Sequence, residues 1–248
     1  MATFRKKNSA AKKFPQKTDS REMYCRVLTD LFEEDDAVQS WRIFRIMSEF
    51  VSGFDILRKY STAATFFGSA RLNPQDPAYK DAEALAAKLA KKGFTIITGG
   101  GPGIMEAANV GAFKVGGKSI GLNIELPMEQ KLNPYVTESE SFHFFFSRKV
   151  MLAFAAEVYV YFPGGFGTLD ELLEIVTLIQ TRKITRIPIV LYGKEFWTPC
   201  LKFFEETLLK KYKTIDKEDL ELFHVVDSVD DAYDYITTHV DLASPRQI

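Results

Sequence analysis

The stretch "VYVYFPGGFGTLDELLEI", residues 158–175, changes texture twice. Valines and aromatic residues alternate to Phe162 as in a buried strand. Pro163 and three glycines then break the run. From Thr168 the leucines, the isoleucine and the acids fall at helical spacing, and Thr168-x-x-Glu171 matches a capping box. The passage therefore reads as strand, glycine turn and helix: half of a unit that, repeated, builds a parallel sheet.

The repeat is present on both sides. Upstream, "TAATFFGSA" (62–70) reads as a strand, "YKDAEALAAKLAKKG" (79–93) as a helix and "FTIITGGGPG" (94–103) as a buried strand ending in glycines. A helix follows over "IMEAANVGAFKVGG" (104–117), then a strand over "SIGLNI" and an irregular stretch with Pro127 and Pro134. "SFHFFF" (141–146) is the next expected strand and "SRKVMLAFAAE" (147–157) its helix. Downstream come strand "IPIVLYG", helix "FWTPCLKFFEETLLKKY", strand "FHVVD" and helix "VDDAYDYITTH". Parallel neighbours need crossover connections, so strands alternating with helices predict a Rossmann-like, doubly wound α/β sandwich. A helical preamble over residues 19–60 precedes it. No internal repeat or flexible linker interrupts 19–248, which is read as one domain including those helices.

Residues 1–18 carry six Lys and Arg and no acid. They read as a basic disordered arm, too poor in apolar groups to offset the entropy of ordering. Net charge is −1, so nucleic acid is an unlikely partner and any electrostatic argument is local. The longest nearly apolar run, 151–162, is interrupted by Glu157 and too short to span a bilayer, so no membrane partner is expected. Two cysteines and three scattered histidines form no ligand pattern, so neither a metal site nor a disulfide framework is expected. A cytoplasmic location fits best.

Ligands of open α/β sheets bind beyond the carboxyl ends of the strands. Three such ends are unusual here: "FGSAR" (67–71), "TGGGPGIMEAAN" (98–109) and "FPGGFGTLDE" (162–171). Glycine there lets main-chain N–H groups approach an anion at a helix start. A tight turn with no ligand explains any one of them equally well. A dinucleotide fingerprint beginning at Gly99 would need glycine where Ile104 stands, which disfavours a nicotinamide or flavin cofactor. "GGKS" (116–119) ends like a phosphate loop but leads from helix into strand, the wrong order for an ATPase.

Together, "PGGFGTLDE" (163–171), "GGGPGIMEAAN" (99–109) and "SRKVML" (147–152) resemble the LOG (Lonely Guy) family of nucleoside 5′-monophosphate phosphoribohydrolases. The resemblance covers roughly residues 62–195, and the terminal helices resemble its larger bacterial members. It implies a homodimer as building block and hydrolysis of the N-glycosidic bond of AMP or cytokinin riboside monophosphates, with no cofactor and no metal. Some relatives carry a lysine decarboxylase label, but no lysine of this chain stands in a pyridoxal phosphate context. Molybdenum cofactor carriers, which bind a phosphorylated pterin without cleaving it, resemble the chain in fold and glycine loops and supply the rival reading.

The resemblance assigns Arg148 and Glu171 as catalytic. Glu171, expected in the first helical turn, is expected to stay ionised near neutrality because the positive helix end favours the anion. Its role as base or as cation stabiliser is left open. Arg148 is expected to orient Glu171 by a forked ion pair or to contact the nucleotide, and Lys149 accompanies it. Gly164, Gly165, Gly167 and Thr168 form the expected phosphate cradle, supported by Gly99, Gly100, Gly103 and Ser69. Met105 and Met151 are candidates for a base pocket. Asp170, Glu106 and Asn109 are weaker candidates for the same cleft, each explained as well by a helix surface.

Overall fold

The computed structural model describes residues 36–126 and 132–241. The basic arm, the preamble up to residue 35 with one of the two cysteines, Cys25, and Pro127 lie outside the described residues. The chain divides into two units, Met1–Arg45 and Ile46–Ile248. Of the first, the described part is the start of helix α1 (Asp36–Leu57), where the Trp41 and Phe44 rings meet edge to face at 6.1 Å.

The described residues of the second unit hold seven strands: β1 (Ala63–Phe67), β2 (Thr95–Thr98), β3 (Ser119–Ile124), β4 (Glu138–Phe142), β5 (Val158–Tyr161), β6 (Ile189–Tyr192) and β7 (Phe223–Val226). They form one parallel sheet in the order β4-β3-β2-β1-β5-β6-β7. β1, β2, β3, β5 and β6 are buried along their whole length, as expected of a sheet covered on both faces. One face carries Leu122, Tyr159 and Tyr161, covered by α4 (Phe145–Phe154), α5 (Phe166–Gln180) with Leu172, α6 (Lys194–Phe203) with Trp197, and the end of α1. The other carries Phe66, Ile96, Val160 and Phe162 under α2 (Pro77–Lys92), α3 (Ile104–Lys114) and α7 (Val229–His239).

The chain builds outward from β1 to β4, then returns to place β5 on the other flank of β1, with Phe67 opposite Tyr161. Strand order reverses between these two strands, so the loops leaving them diverge and open a crevice.

Three expected boundaries move. β4 is "ESESF", residues 138–142, rather than 141–146. It is an edge strand whose inner and outer residues alternate in exposure, so its polar outer face hides it from an apolar pattern. Helix α5 begins at Phe166, two residues before Thr168; its N-cap is Gly165, which makes no side-chain bond. The helix expected over 196–212 starts at Lys194 and passes at Phe204 into a π-helix running to Tyr212.

Candidate active site

The crevice between β1 and β5 is a cleft of about 920 Å³. Its walls include Ser69 and Arg71 after β1, Gly99 after β2, Met105 on α3, Arg148 on α4, and Gly164, Gly165, Gly167, Thr168 and Glu171 from the β5 turn and α5. Three separate glycine-bearing strand ends thus converge on one space. Gly100, Gly103 and Lys149, expected with them, do not line it.

Gly100 and Gly103 shape the loop instead. Both have positive φ, +70° and +72°, where a side chain is strained. A Cβ on Gly103 would overlap the Ser69 carbonyl oxygen, and one on Gly100 would lie 2.6 Å from Leu132. Behind the loop runs a buried amide network that the sequence reading missed. Asn133 Nδ2 donates to the Gly100 and Gly101 carbonyls, both at 3.1 Å, and to Asn109 Oδ1 at 2.9 Å. Thr98 Oγ1 donates to the same Asn109 oxygen at 2.7 Å and accepts from the Gly100 amide at 2.9 Å. Asn109 is therefore a brace in the core, not a cleft residue, and Glu106 does not line the cleft either.

The β5 turn is built differently. Gly165 and Gly167 have no positive φ, and a Cβ on either would meet nothing within 4 Å. Gly164 is crowded by the Thr168 side chain, which points back into the turn. Thr168 is not an N-cap: its amide already donates to the Gly165 carbonyl at 3.0 Å, inside the first turn. The capping box expected with Glu171 is absent, because Glu171 falls in the second turn.

Glu171 is 6% exposed. Burial pushes its carboxyl up to about 7; Lys149 and Arg148 oppose this, while Glu174 and Asp170 add to it. The expectation of a fully ionised group near neutrality is corrected: away from the helix end, desolvation outweighs the dipole. Lys149 Nζ lies 3.6 Å from Glu171, 2.6 Å from Asp170 and 3.0 Å from Glu174. The Glu174 contact is an ion pair rather than an aligned hydrogen bond. Burial pulls the Lys149 ammonium down, but these three acids outweigh it and hold it above its ordinary value. Asp170, a weaker candidate for the cleft, pairs with Lys149 outside it.

Arg148 crosses the floor of the cleft. Its Nε donates to the Leu122 carbonyl at 2.8 Å, and a Cβ on Gly99 would overlap its Nη2, so glycine at 99 is what admits the guanidinium. Burial lowers its affinity for the proton and the Glu171 charge raises it. Among the described residues no salt bridge joins Arg148 to Glu171, so the forked pair does not form, and the guanidinium edge is left to the cleft. Met105 lines the cleft beside Gly99. Met151 does not: it is buried in the core, against Gly53 of α1.

Among the described residues no cluster of three or more His, Cys, Asp or Glu is arranged to hold a metal ion, and no helix is long and apolar enough to cross a membrane.

Residues 105–236 match the protein family described as "Possible lysine decarboxylase". The chain is similar to cytokinin riboside 5′-monophosphate phosphoribohydrolase LOG1 of Arabidopsis thaliana, 30% identical over 129 residues, 51% of this chain and 60% of that one. It is equally similar to cytokinin riboside 5′-monophosphate phosphoribohydrolase LOG of Oryza sativa subsp. japonica, 30% over 152 residues, 59% of this chain and 61% of that one. The chain thus spans about three fifths of the length of these curated relatives. In fold it is similar to the molybdenum cofactor carrier protein of Chlamydomonas reinhardtii, with a TM-score of 0.55 at 23% identity, covering 74% of this chain and 99% of that one. The matched segment carries Arg148, the β5 glycine turn and Glu171, and on that match the chain belongs to the LOG family.

Proposed function

We propose that the chain hydrolyses the N-glycosidic bond of purine nucleoside 5′-monophosphates, AMP or a cytokinin riboside monophosphate, to free base and ribose 5-phosphate. The observation that carries this reading is Glu171, a buried carboxyl at a cleft wall beside glycines whose Cα positions face open space. The N–H groups of Gly164, Gly165 and Gly167 with the Thr168 hydroxyl take the 5′-phosphate, and Arg71, Arg148 and Ser69 complete its shell. Fixing the phosphate holds the sugar in register with Glu171.

In the reaction the C1′–N9 bond breaks and its electron pair leaves with the base. The oxygen of a water molecule bonds to C1′, one water proton stays as the new hydroxyl, and the other reaches the base. Charge develops on the ribosyl carbon, and an ionised Glu171 stabilises it while accepting the proton in transit. A carboxyl near 7 suits both receipt and return of that proton. Arg148 keeps part of the Glu171 population ionised and contacts the nucleotide. The working unit of this reading is a homodimer or larger homo-oligomer in the cytoplasm; the exposed Phe145, Phe146 and Phe166 near the cleft support an apolar partner surface.

The test is release of adenine by the purified protein from AMP, followed by chromatography, with GMP, IMP, CMP and isopentenyl-AMP in parallel. Base release from a purine monophosphate supports the reading. Stabilisation of the fold by these nucleotides with no base released from any of them overturns it in favour of a carrier.

A further inference from the structure

The N-terminal helix contributes a buried acid to the same region. Helix α4 has Phe144 at its N-cap and no side-chain cap within its own segment, which leaves its first N–H groups in need of acceptors. Glu49 of α1 ties down the residues that lead into that start, and one hydroxyl of its first turn. Its Oε1 accepts from the His143 amide at 2.9 Å, and its Oε2 accepts from the Phe144 amide at 3.3 Å and from the Ser147 hydroxyl. Glu49 is 8% exposed, and a carboxylate so buried is tolerated only when its lone pairs are used. A negative charge at this helix start also offsets the two cations, Arg148 and Lys149, that follow. One turn further along α1, Gly53 has no side chain because a Cβ there would overlap the sulfur of Met151 on α4. Two independent contacts thus seat α1 on α4, and the acid-capped turn ends at Ser147, one residue before Arg148.

We propose that Glu49 is a positioning residue: by holding the first turn of α4 it sets Arg148 across the cleft and Lys149 against Glu171. Helix α1 lies outside residues 105–236, the segment matched to the family. The charges that act on Glu171 come from Lys149 and Arg148 on α4 and from Asp170 and Glu174 on α5, while Tyr161 of β5 donates to its main-chain oxygen at 3.3 Å. Glu49 is not among those charges, so it reaches Glu171 only by way of α4. Its kinetic readout rests on the phosphoribohydrolase reading; its structural readout does not.

The variants are Glu49→Gln, which keeps size but loses the charge and turns one of the two acceptors into a donor, and Leu57→Ala, which destabilises the same helix away from α4's cap. The structural readout is solvent exchange of the Arg148 Nε–H by NMR, slow in the wild type because it is bonded to Leu122. In Glu49→Gln that exchange accelerates by about tenfold or more. With AMP as substrate, kcat falls by about tenfold to a hundredfold and KM rises with it, because Arg148 also belongs to the phosphate shell. The acid limb of the rate profile moves to higher pH, because Glu171 loses the cations that oppose its protonation. Leu57→Ala lowers Tm and moves none of the three. An Arg148 signal still protected in Glu49→Gln, or moved equally by Leu57→Ala, overturns the proposal. Should Glu49→Gln not fold, Ser147→Ala removes one of the same hydrogen bonds and is read in the same way. If the wild-type protein releases no base, the hydrolase reading fails and the exchange measurement still decides the role of Glu49.

Discussion

Two glycine-rich strand ends reach the cleft, that after β2 through Gly99 and that after β5 through its whole turn, and their glycines stand in opposite surroundings. After β2, Gly100 and Gly103 are imposed by the fold: both have positive φ, and neighbouring atoms occupy the space a side chain would take. After β5, Gly165 and Gly167 have ordinary backbone angles and open space around them. Folding alone does not explain them. The two motifs look alike in sequence, yet the packing requires glycine in the first and leaves room for side chains at two positions of the second.

The comparison can be tested by substitution. The largest expected effect belongs to the acid on the open side: Glu171→Gln lowers adenine release from AMP about 10³-fold, as loss of a proton-transferring group does. AMP-induced thermal stabilisation is kept in this variant, because the glycine turn and not the carboxyl holds the phosphate; loss of that stabilisation would place binding and chemistry in one group and blur the contrast. Next, Gly103→Ala should destabilise the fold by about 3 kcal/mol through strain and overlap. At this chain length that is a fall in Tm of roughly 10 °C, and an unchanged Tm would break the assignment of the β2 loop to packing.

A smaller effect concerns pH. The Glu171 carboxyl is raised from its ordinary value to about 7 in the folded protein. The native state therefore keeps a proton that the unfolded chain has already lost, so this group makes stability fall as pH rises through that window. Glu171→Gln abolishes the fall, leaving the variant more stable than wild type above pH 7 by about 2 kcal/mol, part of the gain being offset by burial of the amide. The gap should close and then change sign as pH falls from 7 towards the ordinary carboxylate range, where only the cost of the buried amide is left; a gap independent of pH would show that Glu171 does not titrate there. The smallest effect is Gly165→Ala, which should leave Tm within about 2 °C and raise KM for AMP about tenfold, or 1.4 kcal/mol. A large loss of stability with KM unchanged would reverse the reading of the open loop.

The alternation of strands with helices was legible because both faces of the sheet are covered, so its central strands are apolar throughout. The convergence of the β1, β2 and β5 ends followed from the same topology. What the sequence concealed is instructive. Thr168-x-x-Glu171 has the pattern of a capping box, yet Gly165 starts the helix without a side chain and shifts both residues one turn inward. That shift moved Glu171 from the positive helix end into a buried setting and reversed the expected direction of its titration. Glu49 and Asn133 were invisible for another reason: their partners lie 94 and 33 residues away, beyond the reach of any local pattern. The acid that stands beside the start of the helix carrying the cations at 148 and 149 could be identified only from the fold.

Lys149 divides its single positive charge among three acids, two of which lie outside the cleft. Asp170 is more than half exposed and touches no part of the cavity, yet it competes with Glu171 for that charge. Neutralising Asp170 would return more of the ammonium's field to Glu171 and extend ionisation of the buried acid into more acidic media. The titration of the buried acid is thereby adjustable from the protein surface, through a residue that lies outside the cleft.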